Sequence, residues 1–175
     1  MGDAGAVTQR FTCGVLTLSD KGARGERIDT SGKMLCGMLE QAGFVVREYQ
    51  VLPDTQSMIE EKLVELVDTL QLDLIVTTGG TGVSPSDQTP EATRKVIDRE
   101  VPGISEAMRA ASLQKTVQAV WSRGIAGVRR HSLIINLPGS RKAARENLEA
   151  VLPALSHGLY KLQGGEADCG EEENR

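Results

Sequence analysis

The sequence predicts an α/β protein, a three-layer α/β/α sandwich around a mostly parallel sheet. Three observations carry this expectation. Apolar spacing switches repeatedly between the period of a strand and that of a helix. Each strand-like run gives way to a polar or glycine-bearing loop and then to an amphipathic stretch, the alternation of βα units joined by right-handed crossovers. Finally, "DLIVTTGG" (residues 73–80) is almost continuously apolar, as a strand covered on both faces has to be.

Taken in order, "TCGVLTLSD" predicts a strand over residues 13–18, running into the polar loop "SDKGARGERIDTSG". Asp29 or Thr30 can cap the following helix, in which Leu35, Met38, Leu39 and Ala42 recur at helical spacing and Gly43 gives the stop. A second strand, residues 45–52, ends at Pro53-Asp54. The helix after it is expected to place Met58, Ile59, Leu63, Leu66, Val67 and Leu70 on one face. After the "DLIVTT" strand, Thr89 supplies an N-cap and Pro90 a first helical position for "EATRKVIDRE". Another helix is predicted over residues 104–113. "VQAVW" (117–121) and "SLIINL" (132–137) are the remaining strand candidates. A last helix starts near Arg141, carries Leu148, Val151, Leu152 and Leu155, and contains Pro153 as a point of bending.

At 175 residues the chain suits one domain, expected over residues 11–162, with a loose N-terminus (1–10) and a loose acidic tail (163–175). Hydrophobic residues at 39% and charged ones at 25% describe a globular chain, not a disordered or membrane one. A net charge of −4 argues against a broad nucleic-acid surface but leaves room for a local basic pocket, for which Lys21, Arg24 and Arg27 are candidates. No run is long enough to span a bilayer and residues 1–10 hold no signal core, so a cytoplasmic protein is expected. Cys13, Cys36 and Cys169 form no CxxC pair, which fits reduced thiols packed as small hydrophobes. His131 and His157 stand apart, offering neither a histidine metal site nor a triad.

Ligands of open α/β sheets bind beyond the carboxyl ends of the strands, and five suggestive loops fall there. They are Ser19-Asp20, Pro53-Asp54, the glycine loop Gly79-Gly80-Thr81-Gly82 with Asp87, Ser122-Arg123, and Pro138-Gly139-Ser140. Glycines let backbone N–H groups close on an anion, and a helix start beyond them adds a favourable dipole. The loop has neither the GK[ST] ending of a P-loop nor GxGxxG spacing. By itself it reads either as a phosphate cradle or as a tight turn. Asp54 and Asp87 read as turn residues or as a seat for Mg²⁺, which takes carboxylates together with substrate phosphates. Ser122, Arg123 and Trp121 read equally as a strand-end cap, a surface charge and a core aromatic.

The series "TLSDKGARGERIDTSG", "VLPD", "TTGGTGVSPSDQTPEA", "VPGISEAMR", "SRGIAGVRRHSLIINLPGS" and "ENLEAVLPAL", in that order, resembles the molybdopterin adenylyltransferase family of MogA/MoaB type and the matching domains of gephyrin and its plant counterpart. The likeness spans residues 11–162, and TTGGTG followed by SDQTPEA is its specific part. The resemblance implies the molybdenum-cofactor-biosynthesis (MogA-like) fold, a homotrimer, and transfer of AMP from MgATP to the terminal phosphate of molybdopterin with release of pyrophosphate. It also implies hand-over of the product to a separate molybdenum-insertion protein.

Position by position, the family's catalytic and Mg-nucleotide aspartates fall on Asp54 and Asp87, and its pterin-contacting serine on Ser122. Its nucleotide-proximal loop falls on Gly79, Gly80, Thr81 and Gly82. Arg123, Ser19, Asp20, Gly139 and Ser140 complete the expected substrate-binding set. Ser140-Arg141 departs from the Asn-Pro that many members carry after Pro-Gly. Two other functions remain on the sequence: a non-catalytic molybdopterin-binding scaffold, and a hydrolase of nucleotide pyrophosphates on the same fold.

Overall fold

The computed structural model describes residues 10–165; Cys169 and nearly all of the two expected loose ends lie outside the described residues. A six-stranded sheet runs in the order β2-β1-β3-β6-β5-β4. Its strands are β1 (Thr12–Leu18), β2 (Val45–Leu52), β3 (Leu74–Thr78), β4 (Arg99–Glu100), β5 (Ala126–Arg129) and β6 (Ser132–Leu137). β2, β1, β3 and β6 are mutually parallel, with Val15 facing Tyr49 on one side and Val76 on the other, and Val76 facing Ile135. β6, β5 and β4 close the other edge as antiparallel neighbours.

Helices α1 (Asp20–Ala23), α2 (Ser31–Gln41), α3 (Gln56–Val64), α4 (Thr89–Val96), α5 (Pro102–Leu113) and α6 (Arg141–Leu162) connect and cover the strands. Side chains alternate across the sheet as a strand requires. Cys13 and Val15 of β1 join Leu35 and Leu39 of α2, Met108 of α5 and Leu148, Val151 and Leu155 of α6 on one face. Leu16 and Leu18 join Ile59 and Leu63 of α3 and Ala92 and Val96 of α4 on the other. The three layers predicted from the sequence are therefore present. Leu74, Ile75 and Val76 are fully buried, each contributing roughly 1.5–3 kcal/mol of burial.

Several expectations are corrected. "VQAVW" is not a strand but a 3₁₀ turn, Val117–Trp121, with no buried residue, and Trp121 is 60% exposed instead of core. The strand is the following segment, β5, whose Ala126-Gly127 start gives little period-2 signal. The loop after β1 contains the one-turn helix α1, capped by Ser19. α4 stops at Val96 and the expected helical tail forms β4. Thr89 does not cap α4: it is fully buried and its hydroxyl donates to the Gly79 carbonyl at 2.9 Å. Met58, beside Ile59 on the edge of the buried face, is exposed, and so is Leu70, which follows a π-helical turn at Glu65–Thr69 that rotates the face. The expected capping of α2 is present: of the two candidates it is Asp29 whose carboxylate accepts from the Ser31 and Gly32 N–H groups. Cys13 is core, whereas Cys36 is half-buried.

Candidate functional site: two cavities on either side of a glycine wall

The carboxyl ends of β1, β2, β3 and β6 meet at one end of the sheet. Leu18 leads to Ser19, whose hydroxyl oxygen accepts from Gly22 N at 3.1 Å and starts α1. Leu52 leads to Pro53-Asp54, and the two acidic loops are tied reciprocally. Asp20 N–H donates to Asp54 Oδ2 at 3.1 Å, and Asp54 N–H donates to Asp20 Oδ1 at 2.9 Å.

Thr78 leads into Gly79 and Gly80, whose φ angles of 102° and 63° belong to the left-handed region. Space excludes a side chain at both. A Cβ on Gly79 would strike the Leu18 carbonyl, and one on Gly80 would strike the Thr89 hydroxyl and come within 3.2 Å of Asp54 Oδ1. Leu137 leads to Pro138-Gly139 and to Ser140, the N-cap of α6. These loops are fastened to one another by Thr78 Oγ1 donating to Pro138 O at 2.7 Å and Ser31 Oγ donating to Gly139 O at 3.2 Å.

A cavity of about 570 Å³ opens above these strand ends. Ser19, Asp54, Gly79, Gly80, Asp87, Gly139 and Ser140 line it, together with Arg27, Asp29, Thr30, Ser31 and Arg141. A second cavity of about 320 Å³ lies on the far side of the glycine loop, lined by Thr81, Gly82, Trp121, Ser122, Pro138, Gly139, Ala143 and Asn147 among others. Gly139 borders both.

Of the expected site residues, Asp20 and Arg123 line neither cavity. Asp20 braces Asp54. Arg123 braces the wall: its Nε donates to Gly82 O at 2.6 Å, its Nη2 to Asp87 O at 2.8 Å and its Nη1 to Glu91 Oε1. Its backbone N–H donates to Thr81 O at 2.9 Å. The residues that sequence reasoning did not single out as site members are Asp29, Thr30, Ser31, Arg141 and Asn147. Trp121, for which the sequence offers a core reading, borders the smaller cavity. Asp29 had a signal, its candidate cap, but the cap's position beside a cavity is tertiary information.

The electrostatics differ from one carboxylate to the next. Burial pushes the Asp54 carboxyl above the usual aspartate range; the Asp20 N–H pulls it down, and the neighbouring Asp20 and Asp87 charges push it further up. Asp29 is also partly buried, which alone would raise it. Hydrogen bonds from the Thr17 and Tyr49 hydroxyls and the Gly32 and Ser31 N–H groups outweigh that and hold it below the usual range.

Among the described residues no cluster of three or more metal-ligating side chains forms a closed metal site. The pair Asp54 and Asp87 on one cavity is instead an open, all-oxygen donor set, which fits a hard cation completed by ligand oxygens. The α6 N-terminus at Ser140 and Arg141 adds a positive helix end to the same cavity.

Comparison with known proteins places the chain in a family and a fold. A molybdopterin adenylyltransferase of Helicobacter pylori (strain J99) is 42% identical over 166 residues, 94% of each chain. Gephyrin of Dictyostelium discoideum is 40% identical over 90% of this chain, which spans 23% of that longer protein. The crystal structure of the molybdopterin biosynthesis enzyme MoaB from Thermus thermophilus superposes with a TM-score of 0.84 at 53% identity, covering 88% of this chain and 97% of that one. A family model described as "Probable molybdopterin binding domain" matches residues 14–157, and the chain belongs to that family of molybdenum-cofactor biosynthesis proteins.

Proposed function

We propose that this protein is a molybdopterin adenylyltransferase that uses Mg-ATP, with the nucleotide phosphates in the larger cavity and the pterin in the smaller one. One observation carries the reading: two cavities of unlike chemistry share a single wall, residues 79–82, and the same Gly139. Molecules bound on either side meet at that wall; the relatives' names point to molybdopterin as one of them, and the charged lining of the larger cavity suits a nucleotide phosphate chain as the other.

The reaction forms one bond and breaks one. An oxygen of the molybdopterin terminal phosphate attacks the α-phosphorus of ATP, the bond from that phosphorus to the β-phosphate oxygen breaks, and pyrophosphate leaves with the electron pair. A phosphate monoester is largely ionised at neutral pH, so the attack needs no strong base. Positioning and charge neutralisation are the main requirements.

Gly79 and Gly80, in the left-handed conformation, line the larger cavity with backbone that phosphate oxygens can approach. Arg27, Arg141 and the α6 N-terminus neutralise charge from the cavity walls. Asp54 and Asp87 would hold Mg²⁺, which supplies Lewis-acid stabilisation of the phosphate oxygens. Ser122 and the Trp121 ring face the pterin side. Arg123, with its guanidinium engaged by Gly82, Asp87 and Glu91, acts by holding the wall.

The same reading includes a homotrimer and hand-over of the product to a separate molybdenum-inserting protein in the cytoplasm. No helix among the described residues is long and apolar enough to cross a membrane. Incubation with molybdopterin, ATP and Mg²⁺, followed by mass spectrometry, tests the chemistry. Adenylylated molybdopterin from the parent protein but not from Asp87→Asn is the expected result. Pterin binding without that product would make the chain a scaffold, and ATP turnover without pterin would make it a hydrolase. Light scattering tests the trimer.

A further inference from the structure

We propose that Glu91 is a positioning residue for the transfer reaction: through Arg123 it fixes the wall between the two cavities and so sets the register of the two substrates. The inference rests on the adenylyl-transfer reading and deepens it. Glu91 lines neither cavity, so it touches neither substrate. It sits in the first turn of α4, directly after the loop that forms the wall.

Its Oε1 accepts from Arg123 Nη1, while the other nitrogens of that guanidinium donate to Gly82 O and Asp87 O. One planar fork thereby joins both ends of the 82–87 loop to α4. The geometry needs all three directions of the guanidinium, which a lysine ammonium cannot reproduce in one plane. Asp87 is also fixed from within the loop, its Oδ2 accepting from Ser84 N at 2.8 Å.

A second observation points away from a purely structural ion pair. Glu91 Oε2 is buried and has no hydrogen-bond partner among the described residues, an arrangement that costs stability. A glutamate kept at that cost in a short helix is explained by what Oε1 holds in place. Displacing the wall by about 1 Å moves Asp87 on one side and Gly82 on the other, and with them both substrates. Misplacement of that size costs about 10²-fold in rate while leaving each binding step almost intact.

The experiment compares the parent protein with Glu91→Ala, Arg123→Lys and the double variant. The readouts are adenylyl-molybdopterin formation, Kd for Mg-ATP alone and for molybdopterin alone, and thermal unfolding. Expected are kcat losses of about 10²-fold in each single variant, Kd changes under about 3-fold, and a double variant no worse than the worse single one, since all break one fork.

Rescue by Arg123→Lys to near-parental kcat would overturn the proposal, because charge alone would then suffice. So would losses carried wholly by KM, or multiplying losses in the double variant. If a variant is too unstable to assay, Glu91→Asp, which keeps the charge but is too short to span to Arg123, takes its place with the same expected kcat loss. A parent protein that forms no adenylyl-molybdopterin would refute the transfer reading itself, and the role of Glu91 with it; an active parent with unaffected variants would refute the role of Glu91 alone.

Discussion

The two cavities are built from opposite materials. The larger one is walled by charge and by groups that answer charge: Asp29, Asp54 and Asp87 against Arg27, Arg141 and the start of α6. The smaller presents the Trp121 ring, Pro138, Ala119 and Ala143, and its charged members are turned to other work. Arg109 Nη1 donates to Gly124 O at 3.0 Å, and Glu146 pairs with Lys115 at 3.2 Å. The difference teaches a division of labour. On the proposed reading, one side handles phosphates by electrostatics, and the other recognises a flat heterocycle by surface and shape, as aromatic and apolar linings do.

Four substitutions break or sharpen that contrast. The largest effect is expected from Asp87→Asn: kcat falls by about 10³-fold, while the Kd for molybdopterin, measured by titration, changes less than about 3-fold. Equal losses in turnover and pterin binding would dissolve the division. Next comes Gly80→Ala, which places a methyl against Thr89 and Asp54 in a left-handed backbone. It lowers kcat/KM by about 10²-fold and reduces Tm by a few degrees, because strain of roughly 1–3 kcal/mol enters the wall itself.

Trp121→Ala acts on the other side. Loss of ring stacking worth about 1–3 kcal/mol weakens pterin binding by roughly 10-fold or more, with ATP affinity unchanged in calorimetry. A matching loss of ATP affinity would show that the cavities do not divide as described.

The smallest effect concerns stability. Burial foremost, then the Asp20 and Asp87 charges, raises the Asp54 carboxyl above the ordinary range despite the opposing Asp20 N–H. Its stabilising contribution is therefore full below the unfolded value near about 4 and is lost as pH rises through the raised value. At neutral pH without metal, ionised Asp54 is a liability. Asp54→Asn should raise Tm by roughly 2 °C at pH 7, and the gain should vanish toward pH 4. A Tm difference that does not depend on pH would remove the partly buried Asp54 charge as its cause.

Much of the frame was legible because local signals and global role coincided. β2 carries its predicted limits, and β3 and β6 announce themselves as largely apolar runs because both faces of each are covered. Val117–Trp121 misled for the same reason in reverse: β-branched and aromatic residues suggest a strand, yet here they stay exposed beside a cavity. β5 went unseen since Gly127 must lack a side chain, a Cβ there coming within 2.9 Å of Arg99 O, so the residue that packing demands is one that hides a strand.

The loop positions of the site were readable from strand ends. Their allotment to two cavities was not. Arg123 shows why: its motif neighbour Ser122 faces a cavity, while its own side chain turns to Gly82, Asp87 and Glu91, partners up to 41 positions away.

The strand order has a consequence for synthesis. β6 is made late, at residues 132–137, but it lies between β3 and β5 in the finished sheet. A nascent chain that has released β1, β2 and β3 carries a half-sheet whose β3 edge shows bare N–H and C=O groups, open to pairing with other chains. The segment that covers this edge leads directly into Gly139, which borders both cavities. Protection from aggregation and the capacity to bind ligand thus reach the growing polypeptide together, and an interrupted translation product has neither.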